Sequence, residues 1–246
     1  MRGKIPMPKK NQNTFKFWAV VPAAGIGARM GGEIPKQYLP LLGRPIIAHT
    51  LACLCNHPRI SGVVVALAAH DRWWPEIPMD FARVPLVAAG GDERRDSVLS
   101  GLHVLSGHAA DDDWVLVHDA VRPCLRHEDI DRLMNELCLD EVGGLLATPV
   151  RDTMKRSDSD DRVRETVSRQ SLWHALTPQM FRLGALRDAI RITVDEDRDV
   201  TDEAQAMEFA GGHPRLVQGH DDNIKVTRPQ DLRLAEMILT HREQKT

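Results

Sequence analysis

Five short apolar runs, FWAVVPA (17–23), GVVVALA (62–68), VPLVAA (84–89), DWVLVHDA (113–120) and GGLLATPV (143–150), alternate with helix-like segments near 45–56, 92–106 and 126–138. A strand that is apolar along its whole length has to be covered on both faces, and only intervening helices can cover it. The pattern therefore predicts an α/β fold, a three-layer sandwich around a mostly parallel sheet. At 246 residues, 42% of them hydrophobic, the chain can bury a substantial core. No internal repeat is visible.

The rhythm breaks at 151–169, RDTMKRSDSDDRVRETVSR, where two polar alternating stretches flank the turn-forming SDSDD. This reads as a hairpin projecting from the sheet. With six basic and five acidic residues and almost no apolar face, it needs something to pack on, and a second copy of the chain would serve. Beyond it come helical patterns near 181–195 and 201–210, short strands near 215–218 and 223–227, and a closing helix from about 229. Residues 1–16 carry five basic and no acidic residues with no apolar core, so they read as a disordered basic tail before one domain spanning 17–246.

A net charge of -3 gives no global attraction for nucleic acid or an anionic membrane, so any polyanion site must be a local cluster of Arg and Lys. No apolar run approaches the ~20 residues of a membrane helix. Cys53, Cys55, Cys124 and Cys138 are too few and too irregular for a disulfide framework and suit a reducing, cytoplasmic compartment. Cys53, Cys55 and His57 do not make a metal site, because Cys55 would leave the face its neighbours share.

In α/β sheets ligands bind beyond the carboxyl ends of the strands. The first such place is VVPAAGIGARMGGEIPKQY (20–38), whose glycines let backbone N–H groups wrap an anion while Arg29 and Lys36 neutralise phosphate charge. A dinucleotide fingerprint would have to open a helix directly, and Gly31, Gly32, Pro35 and Pro40 forbid that. A Walker loop would need Gly-Lys-Ser/Thr, which is absent. Asp119, after WVLVH, suits a magnesium anchor, since Mg2+ takes one or two carboxylates plus phosphate oxygens and water; the plainer alternative is an Asp paired with Arg122. In AAGGDERRDSV (88–98), Asp92 or Ser97 taken alone is most simply a helix cap or first-turn acid. Thr201 reads as an N-cap with Asp202 and Glu203 in the first turn, and Thr227 with Gln230 as a capping box. Lys225, late in an apolar stretch, is an odd place for a charge unless it meets an anion.

Taken together, PAAGIGARMGGEIPKQY, GGDERRDSV, HDAVRPC, PVRDTMK, WHALTPQ, VTDEA and DNIKVTRPQDL occur in the order and spacing of the 2-C-methyl-D-erythritol 4-phosphate cytidylyltransferases, which the chain resembles over about 17–240. The resemblance implies a nucleotidyltransferase sandwich, a homodimer with interlocking hairpin arms, and transfer of CMP from CTP to 2-C-methyl-D-erythritol 4-phosphate with release of pyrophosphate. It implies Arg29 and Lys36 as stabilisers of the transition state at the CTP α-phosphate, and Asp119 as the Mg2+ carboxylate. It assigns Ala23, Ala24, Gly25, Gly27, Gly91, Asp92, Ser97 and Ala120 to CTP. Thr153, Arg169, Thr177, Thr201 and Lys225 fall around the sugar phosphate, with Arg169 and Lys225 orienting it. Val121 departs from the family pattern, where a smaller residue is expected, and the basic lead has no counterpart in the family core. Two other readings stay open: a cytidylyltransferase for another polyol phosphate such as ribitol 5-phosphate, and a catalytically silent nucleotide-binding module.

Overall fold

The computed structural model describes residues 15–25 and 34–244. Strand β1 (Phe17–Pro22) is followed by a short hairpin, β2 (Pro40–Leu41) and β3 (Arg44–Pro45), and then by α1 (Ile46–Cys55), β4 (Ile60–Leu67), β5 (Leu86–Ala89) and α2 (Arg94–Leu105). Next come β6 (Trp114–Val117), α3 (His127–Leu137), β7 (Gly143–Pro149) and the pair β8 (Met154–Ser157) and β9 (Val163–Val167). The chain continues through β10 (Trp173–Arg182), α4 (Leu183–Asp195), α5 (Glu203–Phe209), β11 (Arg215–Gln218) and α6 (Pro229–Glu243).

One seven-stranded sheet has the order β11-β7-β10-β6-β1-β4-β5. All neighbours in it run parallel except β10, which lies antiparallel between β6 and β7. The central strands are covered as their composition requires, while the edge strand β5 leaves Val87 exposed. Ala19 and Val21 of β1 pack with Ile47 and Leu51 of α1 and Leu133 and Leu137 of α3 on one face. Trp18 and Val20 pack with Val98 and Leu102 of α2 and Leu186 and Ile190 of α4 on the other. A third cluster joins Leu41, Ile46, Val121, Cys124, Val226 and Ala235, seating α6 over the small hairpin.

The expected strands and helices 17–150 are present, most with shorter ends, while β4 begins two residues earlier, at Ile60. Three expectations needed correction. The segment 223–227 is not a strand: it is an extended loop tied by a single ladder-like bond, Val226 N–H to Val121 O at 2.9 Å. The cap of α5 is Asp202, whose side chain accepts from the Gln205 N–H, so Thr201 lies one residue outside. At α6 the capping acceptor is Asp231, which takes the N–H groups of Thr227 and Arg228 and the Thr227 hydroxyl, and not Gln230. An acidic side chain there also complements the positive end of the helix, which an amide cannot do. The basic tail, apart from its last two residues, lies outside the described residues. The hairpin 151–169 stands as a separate two-stranded sheet, nearly all of it exposed.

Candidate functional site

Because β1, β4, β5 and β6 run parallel, their carboxyl ends open on one edge of the sheet. A cleft there is lined by Ala23, Ala24 and Gly25 after β1, Gly91 and Asp92 after β5, and Asp119 and Ala120 after β6, with Lys36 and Lys225 at its sides. Gly90 makes the first two walls meet: its N–H bonds Leu67 O at 2.6 Å, and a Cβ on it would lie 2.2 Å from the Ala24 Cβ. Only glycine lets these two chain segments approach so closely.

The floor of the cleft is a charge cluster. Asp119, 6% exposed, receives Arg122 Nε at 3.2 Å and Lys225 Nζ at 3.0 Å on Oδ2, and Arg94 Nε and Nη2, both at 3.3 Å, on Oδ1. Burial opposes ionisation of this carboxyl, but Arg94, Lys225 and Arg122 outweigh it and hold the group well below the ordinary carboxylate range. Arg94 reaches on to Glu203, itself 2% exposed, through Nη1 to Oε1 and Nη2 to Oε2, the latter at 3.1 Å. Beneath the floor, His118 is fully buried, and burial lowers its pKa to about 4, so the ring is neutral. Its Nε2–H donates to Arg122 O at 3.2 Å, leaving Nδ1 to accept the Thr177 hydroxyl at 2.8 Å, and that hydroxyl accepts the Asp119 N–H at 3.1 Å.

These residues fit a hard divalent cation under one condition. Asp119 offers one ionised carboxylate, and among the described residues no cluster of three or more His, Cys, Asp or Glu side chains could complete a coordination sphere. Three cations beside Asp119 would repel a bare ion, so a metal fits only together with an anionic ligand that supplies oxygens and cancels charge.

The loop after β1 is fixed where it returns. Gln37, 3% exposed, donates Nε2–H to Ala23 O at 2.8 Å, bridging the two ends. Tyr38 donates its hydroxyl to Asp71 at 2.7 Å and stacks on Trp73. Lys36, one residue earlier, is thereby held against the cleft wall. Arg29 and Gly27 lie outside the described residues.

A second hollow abuts the first and shares Lys225 with it; its other walls include Arg122, Thr148, Arg151, His174 and Asp221. The loop carrying Lys225 is held from three sides: Arg126 and Arg242 both engage Asp222, His220 Nδ1 meets Asp129 Oδ1 at 2.7 Å, and Arg151 at the base of the hairpin pairs with Asp221 at 2.5 Å. A lysine set between two hollows can touch an anion in either.

The structure thus brings together Ala23, Ala24, Gly25, Lys36, Gly91, Asp92, Ser97, Asp119, Ala120 and Lys225. Ser97 accepts the Gly91 N–H at 3.1 Å, while Glu93 and Asp96, and neither Asp92 nor Ser97, make the reciprocal cap of α2. The Asp119–Arg122 pair exists, as the plainer reading had it, but as one of three cationic contacts. Thr177 is buried and its hydroxyl is committed to His118 and Asp119. Thr201 donates both its N–H and its hydroxyl to Gln205 Oε1. Thr153 and Arg169 are exposed on and beside the hairpin, with Arg169 bonded to Arg151 O. Val121 faces the cleft and anchors the third core cluster at once. Sequence reasoning missed Arg94, Gln37 and the pairing role of Glu203; only the run of charges in GGDERRDSV hinted at the first.

The family model for 2-C-methyl-D-erythritol 4-phosphate cytidylyltransferase matches residues 17–241. A protein of that name from Pseudomonas putida is 56% identical over 219 residues, covering 88% of this chain and 92% of its own. A crystal structure of 4-diphosphocytidyl-2C-methyl-D-erythritol synthase superposes with a TM-score of 0.80 at 35% identity, over 92% of this chain and 100% of that one. The Francisella tularensis 2-C-methyl-D-erythritol 4-phosphate cytidylyltransferase gives 0.79 at 33%, over 91% and 99%.

Proposed function

The chain belongs to the 2-C-methyl-D-erythritol 4-phosphate cytidylyltransferase family, and from that premise we propose that it transfers CMP from CTP to 2-C-methyl-D-erythritol 4-phosphate, releasing pyrophosphate. The observation that carries this reading is the pair of hollows joined at Lys225, one walled by strand-end backbone and the other by Arg122, Arg151 and His174. A reaction between two phosphorylated substrates needs such an arrangement, with a cation at the seam.

In the proposed reaction a phosphate oxygen of the polyol attacks the α-phosphorus of CTP in line. No protein nucleophile is required, because a phosphate monoester is already anionic at neutral pH. The task left to the chain is to hold two polyanions together and neutralise the charge that spreads over the α-phosphate oxygens. Backbone groups of Ala23, Ala24, Gly25, Gly91 and Ala120, with Asp92, Ser97 and Gly27, bind the nucleotide. Lys36 and Arg29 stabilise the transition state. Lys225 steadies the incoming phosphate, assisted by Arg169. Thr153 and Thr201 complete the acceptor site, and Thr177 contributes from below by orienting Asp119. Asp119 would hold Mg2+, which when bound polarises the phosphates and neutralises the departing pyrophosphate.

The arm's exposure supports a homodimer in which the hairpin of one protomer reaches the site of its partner, since a two-stranded hairpin alone is marginally stable. The four free thiols suit a cytoplasmic setting, and among the described residues no helix is long and apolar enough to cross a membrane. Pyrophosphate release with CTP, Mg2+ and each of two acceptors tests the function. Turnover with 2-C-methyl-D-erythritol 4-phosphate and little with ribitol 5-phosphate is expected; the reverse preference, or CTP binding without turnover on either, overturns it.

A further inference from the structure

The turn after β6, residues 119–122, carries both Asp119 and Arg122, and its middle is held by other elements. The Thr50 hydroxyl of α1 donates to Ala120 O at 3.0 Å, and the Val226 N–H donates to Val121 O at 2.9 Å. Both ends of the turn depend on one side chain, that of His118. The ring is fully buried, and the His118 backbone N–H bonds Val20 O at 2.9 Å, which mounts the residue on the central sheet.

The direction of its bonds is forced. A peptide carbonyl only accepts, so the ring nitrogen facing Arg122 O carries the proton. In a neutral ring Nδ1 is then an acceptor, the Thr177 hydroxyl must donate to it, and the hydroxyl oxygen is left to accept the Asp119 N–H. A one-way chain therefore runs from the Asp119 N–H through Thr177 and His118 to Arg122 O. The direction of the Asp119 Cβ follows from its backbone, so the bond to Thr177 helps set where the carboxylate points. At the other end, Arg122 Nε donates to Asp119 Oδ2 at 3.2 Å and Nη1 to Asn223 O at 2.7 Å, on the wall of the second hollow.

We propose that His118 is a positioning residue with two separable holds: through Thr177 it orients the Asp119 carboxylate for a divalent cation arriving with the nucleotide, and through Arg122 O it fixes the arginine that faces the acceptor hollow. This role rests on the functional reading above.

Two substitutions separate the holds. His118→Asn places an amide oxygen where Nδ1 stands and is too short to reach Arg122 O. His118→Gln reaches Arg122 O with its amide N–H and leaves no acceptor for Thr177. The full-length chain is titrated calorimetrically with CTP, with and without MgCl2, and steady-state kinetics give the KM for each substrate. For His118→Gln we expect the Mg2+-induced gain in CTP affinity to fall about ten-fold, the effect of one buried hydrogen bond, with the KM for 2-C-methyl-D-erythritol 4-phosphate within about two-fold of wild type. For His118→Asn the pattern reverses, with the gain kept within about two-fold and that KM raised about ten-fold. Metal-free CTP affinity should stay near wild type in both. A merely structural histidine would lower the melting temperature and move both quantities together, so parallel losses in the two variants overturn the proposal, as do wild-type values throughout. If either variant fails to fold, Thr177→Val, which removes the hydroxyl link to Asp119 and leaves the ring in place, is used instead: a several-fold smaller Mg2+ gain supports the proposal and an unchanged gain overturns it. A wild-type chain whose CTP binding ignores Mg2+ would mark failure of the functional reading itself, a result distinct from wild-type sensitivity retained in the variants.

Discussion

Lys36 sits at the point where the loop re-enters the fold, and its neighbours Gln37 and Tyr38 are tied to Ala23 and Asp71, so its backbone is fixed at the wall of the cleft. A charge anchored that way needs little backbone rearrangement when the α-phosphate becomes more anionic. Lys36→Ala should therefore raise the barrier by about 2–4 kcal/mol, expressed mainly in kcat. Arg29→Ala should do the same. Steady-state kinetics with both substrates saturating check this, and near wild-type kcat in both variants would exclude the roles. His118 gives a pH prediction of the same scale. Its pKa falls from the ordinary 6.5 to about 4 on folding, so the unfolded chain binds the extra proton first. Stability from this group is complete above pH 6.5 and is lost as pH falls toward 4. Between pH 7.5 and 5.0 the loss is on the order of 2 kcal/mol. Urea unfolding at the two pH values measures it, and His118→Asn, though less stable at pH 7.5, should show a correspondingly shallower dependence.

Among the elements, α2 carries Arg94 and Ser97 into the cleft, and its approach to the sheet is set by Gly101, where an added Cβ would lie 2.6 Å from Val20 Cγ1. Two effects oppose each other in Gly101→Ala. Helix propensity favours alanine by about 1 kcal/mol, while overpacking a buried contact costs about 1–3 kcal/mol. Because Val20 is on a central strand with no exposed surface and cannot yield, the clash should win. The variant should melt lower and show a raised KM for CTP as Ser97 is lifted. A higher melting temperature would mean that α2 shifts freely. The strands that build this platform were legible because each is apolar on both faces. β10 was not, because Pro178 interrupts WHALTPQMFR, and a proline demotes a segment as a central strand. The structure accommodates it where the pairing with β7 breaks register, between Ala175 and Gln179. The opposite error at 223–227 has the same root: a β-branched composition reports suitability for a sheet and says nothing about whether a neighbour is present.

At the scale of the whole molecule, the seven ordered motifs located the cleft, yet their chemistry depends on contacts that no local pattern encodes. Arg94 and Glu203 are 109 residues apart and meet only because α5 is stapled to β10. The hairpin was legible as an orphan, and the structure makes the point sharper. Lys155–Thr166 and Arg156–Glu165 are exposed surface contacts at 2.6 and 2.7 Å, worth little each, and Met154 and Val163 are exposed in the single chain. If the arm completes a partner's site, Arg169 of one protomer works with Lys36 of the other. Arg169→Ala alone should then raise the KM for the sugar phosphate more than that for CTP. Mixing it in equal amounts with Lys36→Ala, after unfolding and refolding together, gives heterodimers in about half the population, each with one site intact and one doubly defective. Assayed with sugar phosphate far below the raised KM, where both parents are nearly inactive, activity should return to about a quarter of wild type. If each chain instead supplied both residues to its own site, every site in the mixture would carry one lesion, and the activity would stay at the average of the two parents.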